Sequence, residues 1–529
     1  MINSFTGEYT PGTIPQITLT EKEHQIIDIL KSYTNFYNAS EEDNSKRITL
    51  RITGGWVRDK LLNHPSHDID IGIDNCSGES FVMGLKEWLD HHNLDEKEKT
   101  ALDSANRDTT KINSIHKIKK NPDKSKHLET CTTKLCGLDI DFVNLRSELY
   151  TEDSRIPTIT TGTPVEDAHR RDATLNALFF NLTSMQIEDL TGKGLLDLAN
   201  GLLRTPLEPT KTFLDDPLRC LRLIRFASNY GFQIEQRSLN AMKQDAIKVA
   251  LETKISRERI GVEVKKILVN KRGLLGVLNG LELLREVDFS CIFDLGDTKV
   301  PESWAAANHE HLRDDILSSM GNIIKYFEPL VSKKALNFDL VLTDEPSAEN
   351  DKVLFYSALI LHKWGSEKVR VGKKDNYVTF FCVLNGIKMP LKIADSVSLI
   401  LSNVEKTRTN MTTYSGLKRS ELAQKFVLPF GEKWNLNLLV NYCLECFEDF
   451  DEVDKISERY GTLRRAIYEL DLQESFKQQV LLNGKDLMKI ADKKPGPWMK
   501  PITEQLFTWQ LDNPTCTKED MIEYLHTII

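Results

Sequence analysis

The first 150 residues alternate between apolar and polar positions in short runs that turn residues separate. Arg47 to Thr53, Asp68 to Ile73 and Leu138 to Leu145 each alternate with a period of two, which predicts three strands that bury one face. The pair Gly54-Gly55 breaks the first run, and Trp56 to Leu62 then predicts a short helix. We therefore expect a small sheet with helices beside it in this part of the chain.

Two other features of the N-terminal region predict local structure. Thr20 and Glu23 have the spacing of a capping box, in which each side chain accepts the backbone N–H of the other residue. Four apolar residues follow at the intervals of one helical face: Ile26, Ile27, Leu30 and Tyr33. Residues 85–130 are polar and rich in lysine, which predicts a helix followed by an insertion. Ser147 to Pro164 is rich in Thr, Pro and Gly, and this composition predicts a mobile loop.

The pattern changes after Pro206. Apolar residues now recur at intervals of three and four, so the last 320 or so residues are predicted to be largely helical. The polar stretch from Ser347 to Asp351 is a possible linker. The 529 residues suffice for about three to four domains.

Composition indicates a soluble protein of the cell interior. The hydrophobic fraction is 40% and the charged fraction 28%, and no window approaches the roughly 18 apolar residues that cross a bilayer. The N-terminus lacks the features of a secretory signal or transit peptide, although an upstream start would change this. Nine scattered cysteines, with Cys443 and Cys446 as the one CxxC pair, predict free thiols and a reducing compartment.

The net charge of −9 argues against a protein that coats polyanions non-specifically. It permits nucleic-acid binding through a local basic strip, for which His116 to Lys126 is a candidate, although such a run is more often a solvated loop.

The candidate chemistry begins where the first predicted strand ends. A strand that runs into Gly54-Gly55 and then a helix presents bare amides that suit a triphosphate. Asp68 and Asp70 share one face of the next strand, where two like charges gain nothing structurally unless a cation lies between them. The third strand offers Asp139 and Asp141 in the same way. Mg²⁺ prefers carboxylate and phosphate oxygens, so two such ions could serve a nucleotidyl transfer here.

These residues resemble the GGxxRD and DxD signature of the DNA polymerase beta superfamily of nucleotidyltransferases. Four later segments occur in the order typical of the class II CCA-adding tRNA nucleotidyltransferases of bacteria and eukaryotes, and the fungal members are the most similar: Arg170 to Ala177, Asp189 to Arg204, Asp215 to Arg219 and Ser256 to Glu263. Two C-terminal segments resemble the tail of that family: Gly484 to Leu487 and Lys494 to Trp498.

The resemblance implies an α+β fold class, with a small mixed β-sheet nucleotidyltransferase head followed by a mostly α-helical neck, body and tail. The expected domains are the head or palm at residues 1–205, a nucleotide-selecting neck at 206–290, a body at 291–480 and a tRNA-binding tail at 481–529. The implied activity is template-independent addition of CCA to tRNA from CTP and ATP, with Mg²⁺ as cofactor. Asp215 departs from the Glu that often begins the family's selecting motif.

The resemblance also implies residue roles. Asp68 and Asp70 would hold the metals, and Asp141 corresponds better than Asp139 to the third catalytic acid. The expected nucleotide-binding residues are Gly54, Gly55, Arg58, Arg171, Asp172, Asn176, Asp216, Arg219, Arg222 and Arg225. Among these, Arg171 and Asp172 would contact the ribose. The loop before them would assist the change from C to A addition.

The pair Asp216 and Arg219 has a chemical logic of its own. Being three apart, the two side chains are expected on one helical face. A carboxylate accepts from the exocyclic amine of C or A, and a guanidinium donates to the ring acceptor of either base. The pair would therefore present the wrong polarity to U and G.

Other functions remain open at this point. A poly(A) polymerase of the same superfamily shares almost every motif of the head, a phosphohydrolase would need an HD core that the chain does not offer, and an inert tRNA-binding protein would not need the acids. The expected partners are tRNA, CTP and ATP, with no membrane and a monomeric state. The expected location is cytoplasm and nucleus, with a mitochondrial form possible from another start.

Overall fold

The computed structural model describes residues 10, 12–66, 68–96, 115–118, 130–151, 154–333 and 336–529. The chain divides into two compact units, Met1–Ser256 and Arg257–Ile529. The finer division into head, neck, body and tail stays a prediction.

The first unit combines a sheet with short helices. Its strands are β1 Leu50–Thr53, β2 Ile69–Ile73, β3 Ile115–Ile118, β4 Thr130–Leu135, β5 Leu138–Asn144, β6 Arg146–Thr151, β7 Ser154–Thr161, β8 Phe179–Asn181, β9 Gln186–Glu188, β10 Leu202–Leu203 and β11 Gln233–Ile234. Its helices are α1 Glu21–Ser40, α2 Gly55–Leu61, α3 Gly78–Glu96, α4 Pro164–His169, α5 Gly194–Ala199, α6 Pro209–Asp215, α7 Leu218–Tyr230, α8 Gln236–Met242 and α9 Asp245–Lys254.

Seven strands form the main sheet, in the order β3-β4-β5-β2-β1-β8-β9. The β2–β5 pair is parallel and the other neighbouring pairs are antiparallel, so the sheet is mixed, as expected. The apolar positions of the alternating runs are buried, among them Ile52, Ile71, Ile140 and Phe142. The strands therefore direct their polar positions away from the core, which is what places the acids of the candidate site.

The predicted opening helix is confirmed. Thr20 caps α1, and the capping box with Glu23 is present. Glu23 is itself buried, and it accepts hydrogen bonds from Trp56 Nε1 at 3.0 Å and Lys60 Nζ at 2.6 Å. The N-terminal helix is thus fastened to α2, the helix that follows the Gly54-Gly55 turn.

The segment from Ser147 to Pro164 is not the loop that its composition predicts. It forms most of an antiparallel hairpin, with Arg146 paired to Thr161 and Glu148 paired to Ile159. Its Thr and Ile residues are β-branched and favour strands, which outweighs the turn-forming residues. Gly162 follows the hairpin, at a position where only glycine fits, because a Cβ there would lie 2.4 Å from the backbone of Arg146.

The second unit is mostly helical, as predicted. Its helices are α10 Arg257–Leu268, α11 Gly273–Glu286, α12 Glu302–Lys333, α13 Asp339–Leu342, α14 Glu349–Leu361, α15 Val378–Phe381, α16 Leu391–Ser402, α17 Val404–Thr412, α18 Arg419–Leu422, α19 Trp434–Glu448, α20 Val453–Glu469, α21 Gly484–Ala491, α22 Met499–Asp512 and α23 Lys518–Ile528. A hairpin of β12 Lys368–Val371 and β13 Lys374–Tyr377 interrupts them.

The predicted linker at Ser347 to Asp351 is wrong, because α14 begins at Glu349 and is a buried helix of this unit. All nine cysteines are free thiols, and Cys443 and Cys446 lie buried on α19. None of the described helices has the length and apolar character needed to cross a membrane. Most of the basic strip at His116 to Lys126 lies outside the described residues.

Candidate nucleotidyltransferase site

The turn between β1 and α2 needs glycine. Gly54 has a φ of 78°, in the left-handed region that side chains with a Cβ rarely adopt. A Cβ at Gly54 would lie 3.4 Å from Asp70 Oδ2 and 3.8 Å from Arg171 Nη1. A Cβ at Gly55 would lie 2.9 Å from Arg58 Nη2. The two glycines therefore let an acid and two guanidinium groups approach the backbone of the turn closely, and a phosphate bound there would meet both amides and cations.

The acids of two strands face each other across the parallel pair. Asp70 on β2 lies opposite Asp141 on β5 and, on its other side, opposite Thr53 on β1. Asp68 immediately precedes β2 and is exposed. Burial, the neighbouring Asp141 carboxylate and Asp68 raise the pKa of Asp70 to about 6, against the opposing effect of Arg171. The three carboxylates thus lie close enough to interact, at an electrostatic cost to the folded chain.

The structure distinguishes the two acids of β5. Asp141 Oδ1 accepts a 2.5 Å hydrogen bond from Thr132 and stands in register with Asp70. The Asp139 side chain is 74% exposed and pairs with Lys134 at 3.6 Å. The geometry therefore favours Asp141 over Asp139 as the third acid.

These acids fit a divalent cation only in part. Among the described residues no group of three or more His, Cys, Asp or Glu side chains is arranged to hold a metal ion by itself. Mg²⁺ is usually bound by one or two carboxylates together with substrate phosphates and waters. The raised pKa of Asp70 indicates negative charge that a cation would offset. The residues therefore fit a site that the substrate completes.

Arg171 lies near Asp70, and several groups hold its guanidinium in place. Its Nη2 donates to Asp167 Oδ2 at 2.7 Å and also to Thr53 Oγ1, and its Nη1 donates to the Asn176 carbonyl at 3.2 Å. Asp167 is buried, and the guanidinium groups of Arg171 and Arg170 keep its pKa low in spite of that burial. Asp167 therefore fixes the orientation of Arg171 next to Asp70.

Asp172 is the centre of a second buried network. Its Oδ2 accepts from Arg222 Nε at 2.6 Å, and its Oδ1 accepts from Asn176 Nδ2 at 2.9 Å. Burial by itself would raise the pKa of Asp172. The charge of Arg222 and the hydrogen bonds from Asn176 and Arg222 outweigh burial and hold this pKa well below its ordinary value. Asn176 also accepts a hydrogen bond from Arg58 Nη1. The network connects α7 to the helix that begins at the glycine turn.

The two residues that are predicted to select the base, Asp216 and Arg219, are placed differently from the prediction in one respect. Arg219 lies on the first turn of α7, but Asp216 precedes that helix, with Pro217 at its N-cap position. The Asp216 side chain accepts the backbone N–H of Leu218 at 3.2 Å, so Asp216 belongs to the turn before the helix and does not share a helical face with Arg219. The extended backbone at Asp216, with φ of −140°, is typical of a residue that precedes proline.

Two acids lie near Arg219: Glu148, which the sequence did not single out, and Asp215, which begins the predicted selecting motif. The Glu148 side chain on β6 is 5% exposed and lies 3.6 Å from Arg219 Nη2 and 3.1 Å from Arg170 Nη1. Asp215 ends α6, and burial raises its pKa against the effect of Arg219. Arg225, further along α7, lies with its Cζ 4.2 Å from the centre of the Phe226 ring. The sequence contains no local signal for the role of Glu148, because its partners Arg170 and Arg219 lie far along the chain. Asp167 differs, because it stands three and four residues before its partners Arg170 and Arg171, a helical spacing that could have indicated these ion pairs.

Known proteins resemble the whole chain. The family model of the poly(A) polymerase head domain matches residues 50–204. The mitochondrial CCA tRNA nucleotidyltransferase of Candida glabrata is 40% identical over 98% of this chain and 97% of its own length. The protein of the same name from Saccharomyces cerevisiae is 38% identical over 97% of this chain and 94% of its own.

Solved structures of low sequence identity share the fold. The Bacillus stearothermophilus CCA-adding enzyme, solved in complex with CTP, has a TM-score of 0.59 at 16% identity and covers 96% of this chain and 98% of its own. The CCA-adding enzyme of Thermotoga maritima, solved with tRNA, has a TM-score of 0.58 at 18% identity and covers 96% of each chain.

Proposed function

Because the chain belongs to the family of CCA-adding tRNA nucleotidyltransferases, we propose that it adds C, C and A to the 3′ end of tRNA from CTP and ATP, with release of pyrophosphate. One observation carries the chemical part of the proposal. Asp70 and Asp141 face each other on parallel strands beside the Gly54-Gly55 turn, within the same unit as Arg219. Nucleotidyl transfer without a template requires acids that bind metal, backbone amides that bind phosphate and a side chain that recognises the base, and this unit contains candidates for all three.

We propose that Asp68 and Asp70 hold two Mg²⁺ ions and that Asp141 serves beside them. Bound Mg²⁺ would activate the attacking 3′-hydroxyl and neutralise the triphosphate. The contribution of the chain is to hold the carboxylates in place: β-sheet register fixes Asp70 and Asp141, and Thr132 orients Asp141.

The triphosphate and ribose contacts follow from the same geometry. The amides of Gly54 and Gly55 and the guanidinium of Arg58 lie at the turn, where they would receive phosphate oxygens. Arg222 and Arg225 would add charge from α7. Arg171, Asp172 and Asn176 would contact the ribose, and the hydrogen bonds of Asp172 hold its carboxylate in one orientation.

Base choice is proposed to rest on Asp216 and Arg219. The Asp216 carboxylate would accept from the exocyclic amine of C or A, and Arg219 would donate to the ring acceptor. Pro217 separates them, so the rigid start of α7 sets their spacing instead of a shared helical face. Glu148 lies 3.6 Å from Arg219 Nη2 and would help to orient the guanidinium.

Localisation and assembly are part of the proposal. The two fungal relatives are named as mitochondrial proteins, which supports a mitochondrial form in addition to the cytoplasm and nucleus. We expect a monomer in which the tail at 481–529 binds tRNA.

The test is incorporation of each of the four labelled nucleoside triphosphates onto tRNA that lacks CCA, with Mg²⁺ present and products separated at single-nucleotide resolution. We expect products that stop at +2 with CTP alone and at +3 with CTP and ATP. A long ladder with ATP alone would instead indicate a poly(A) polymerase. Tight tRNA binding without incorporation would indicate an inert tRNA-binding protein.

A further inference from the structure

Tyr230 is the last residue of α7 and lies outside the motifs that mark the candidate site. Its hydroxyl donates a 2.9 Å hydrogen bond to Asp59 Oδ1. The same carboxylate oxygen accepts from Arg58 Nε at 2.9 Å. One oxygen of Asp59 therefore joins the tyrosine to the arginine of the glycine turn.

Arg58 is also enclosed by rings. Its Cζ lies 4.9 Å from the centre of the Tyr230 ring and 5.1 Å from that of Phe226, two residues one turn apart on α7. Stacking of this kind restricts rotation of a guanidinium as well as attracting its charge. A guanidinium has five N–H donors, so Arg58 can bind Asp59 and Asn176 and still donate to a phosphate.

The position of Arg58 matters because of Gly55. A Cβ at Gly55 would lie 2.9 Å from Arg58 Nη2, so the guanidinium lies directly against the turn. The Asp59 side chain is 19% exposed, so its orientation depends on the groups that donate to it. The donors are Arg58 itself and the Tyr230 hydroxyl.

We propose that Tyr230 is a positioning residue of the nucleotide site: through Asp59 it fixes the Arg58 guanidinium beside Gly55, where the triphosphate is received. The inference rests on the proposed function and extends it, because it explains why the Arg of the turn is followed by Asp. Burial raises the pKa of Tyr230 to about 12, so the hydroxyl stays a donor at working pH. Since α7 also carries Arg219, the same contact aligns the phosphate and base subsites.

The experiment compares wild type with Y230F, which removes the hydroxyl and keeps the ring. We expect the Kd for CTP from calorimetry, and the KM for CTP and ATP on tRNA, to rise about tenfold, as for loss of a hydrogen bond to a charged group. Both nucleotides should respond equally because they share the triphosphate, and kcat should change less than about twofold. Y33F is the matched control, a buried tyrosine of α1 in the same unit, and should leave both constants unchanged.

A double-mutant test separates positioning from a structural role. D59N, which is isosteric, should raise KM as much as Y230F, and the double variant Y230F/D59N should be no worse than either single variant. Additive effects, an unchanged KM, or a lower Tm with unchanged KM would each overturn the inference. If wild type does not extend tRNA, the proposed function fails, whereas the calorimetric Kd still tests Tyr230.

Discussion

Replacing Asp70 with Asn should stabilise the protein while abolishing its activity. The pKa of Asp70 rises from an ordinary value of 3.8 to about 6, with burial as the first cause and the Asp141 carboxylate as the second. Each pKa unit corresponds to about 1.4 kcal/mol, so keeping Asp70 ionised at neutral pH costs the folded state about 2 to 3 kcal/mol. The Asn side chain removes the charge, although its amide is still buried, and we expect a net gain of about 1 to 2 kcal/mol.

The sign of the pH dependence follows from the direction of the shift. The folded pKa lies above the unfolded one, so the folded state binds the proton more tightly. The protonated Asp70 side chain therefore stabilises the folded state, and this contribution is fully present below about pH 4 and is lost as pH rises through about 6. The advantage of D70N should therefore be small at pH 4 and complete at pH 7.5.

Thermal unfolding without divalent metal is the assay. For a unit of this size the gain corresponds to a Tm higher by about 3 to 6 °C at pH 7.5, whereas nucleotide incorporation should fall by about 10³-fold or more. Added Mg²⁺ should raise the Tm of wild type more than that of D70N. D139N, on an exposed acid of the neighbouring strand, should stay within about 0.5 kcal/mol of wild type. A D70N variant that unfolds at or below the wild-type Tm would refute the electrostatic argument.

Three further outcomes are expected. D172N removes the charged partner of Arg222 and should destabilise the protein by about 2 kcal/mol, measured by Tm. It should also weaken the preference for ribonucleotides, measured by incorporation of CTP against dCTP. An unchanged preference would exclude contact between Asp172 and the ribose. D216A and R219A should each reduce C and A addition by at least about tenfold and increase the relative incorporation of U and G. Loss of activity with unaltered base ratios would contradict the proposal that these two side chains select the base. Trimming Thr158 to Gly162 should impair A addition to tRNA ending in CC more than C addition to tRNA that lacks CCA. Equal loss of the two activities would exclude a role of the hairpin in the change of specificity.

Local sequence patterns predicted the elements whose signals are contained in neighbouring residues. The capping box of Thr20 and Glu23 is one example, and α1 begins where it predicts. The alternation in β2 and β5 also fixed which face is buried, so the position of Asp70 beside Asp141 followed from the pattern once the strands pair.

The same reasoning failed where competing signals or distant partners decide. Thr158 and Ile159 stand in a strand although Pro and Gly flank them, because pairing with β6 outweighs local turn preference. Asp216 does not share a helical face with Arg219, since the proline between them delays the start of α7. Tyr230 meets Asp59 across 171 residues of sequence, a contact that periodicity does not encode.

The parallel pairing of β2 with β5 has a consequence for biosynthesis. Since the two strands are adjacent in the sheet, Asp70 acquires its partner only after the ribosome has released residue 144. The helix that carries Arg219 and Tyr230 emerges later still, so shorter nascent chains would expose acids without a substrate pocket. For a flexible chain segment, the entropic cost of closure grows only by about 0.6 kcal/mol for each doubling of the segment's length. Evolution could thus lengthen or shorten the stretch between these strands while leaving the reaction centre unaltered.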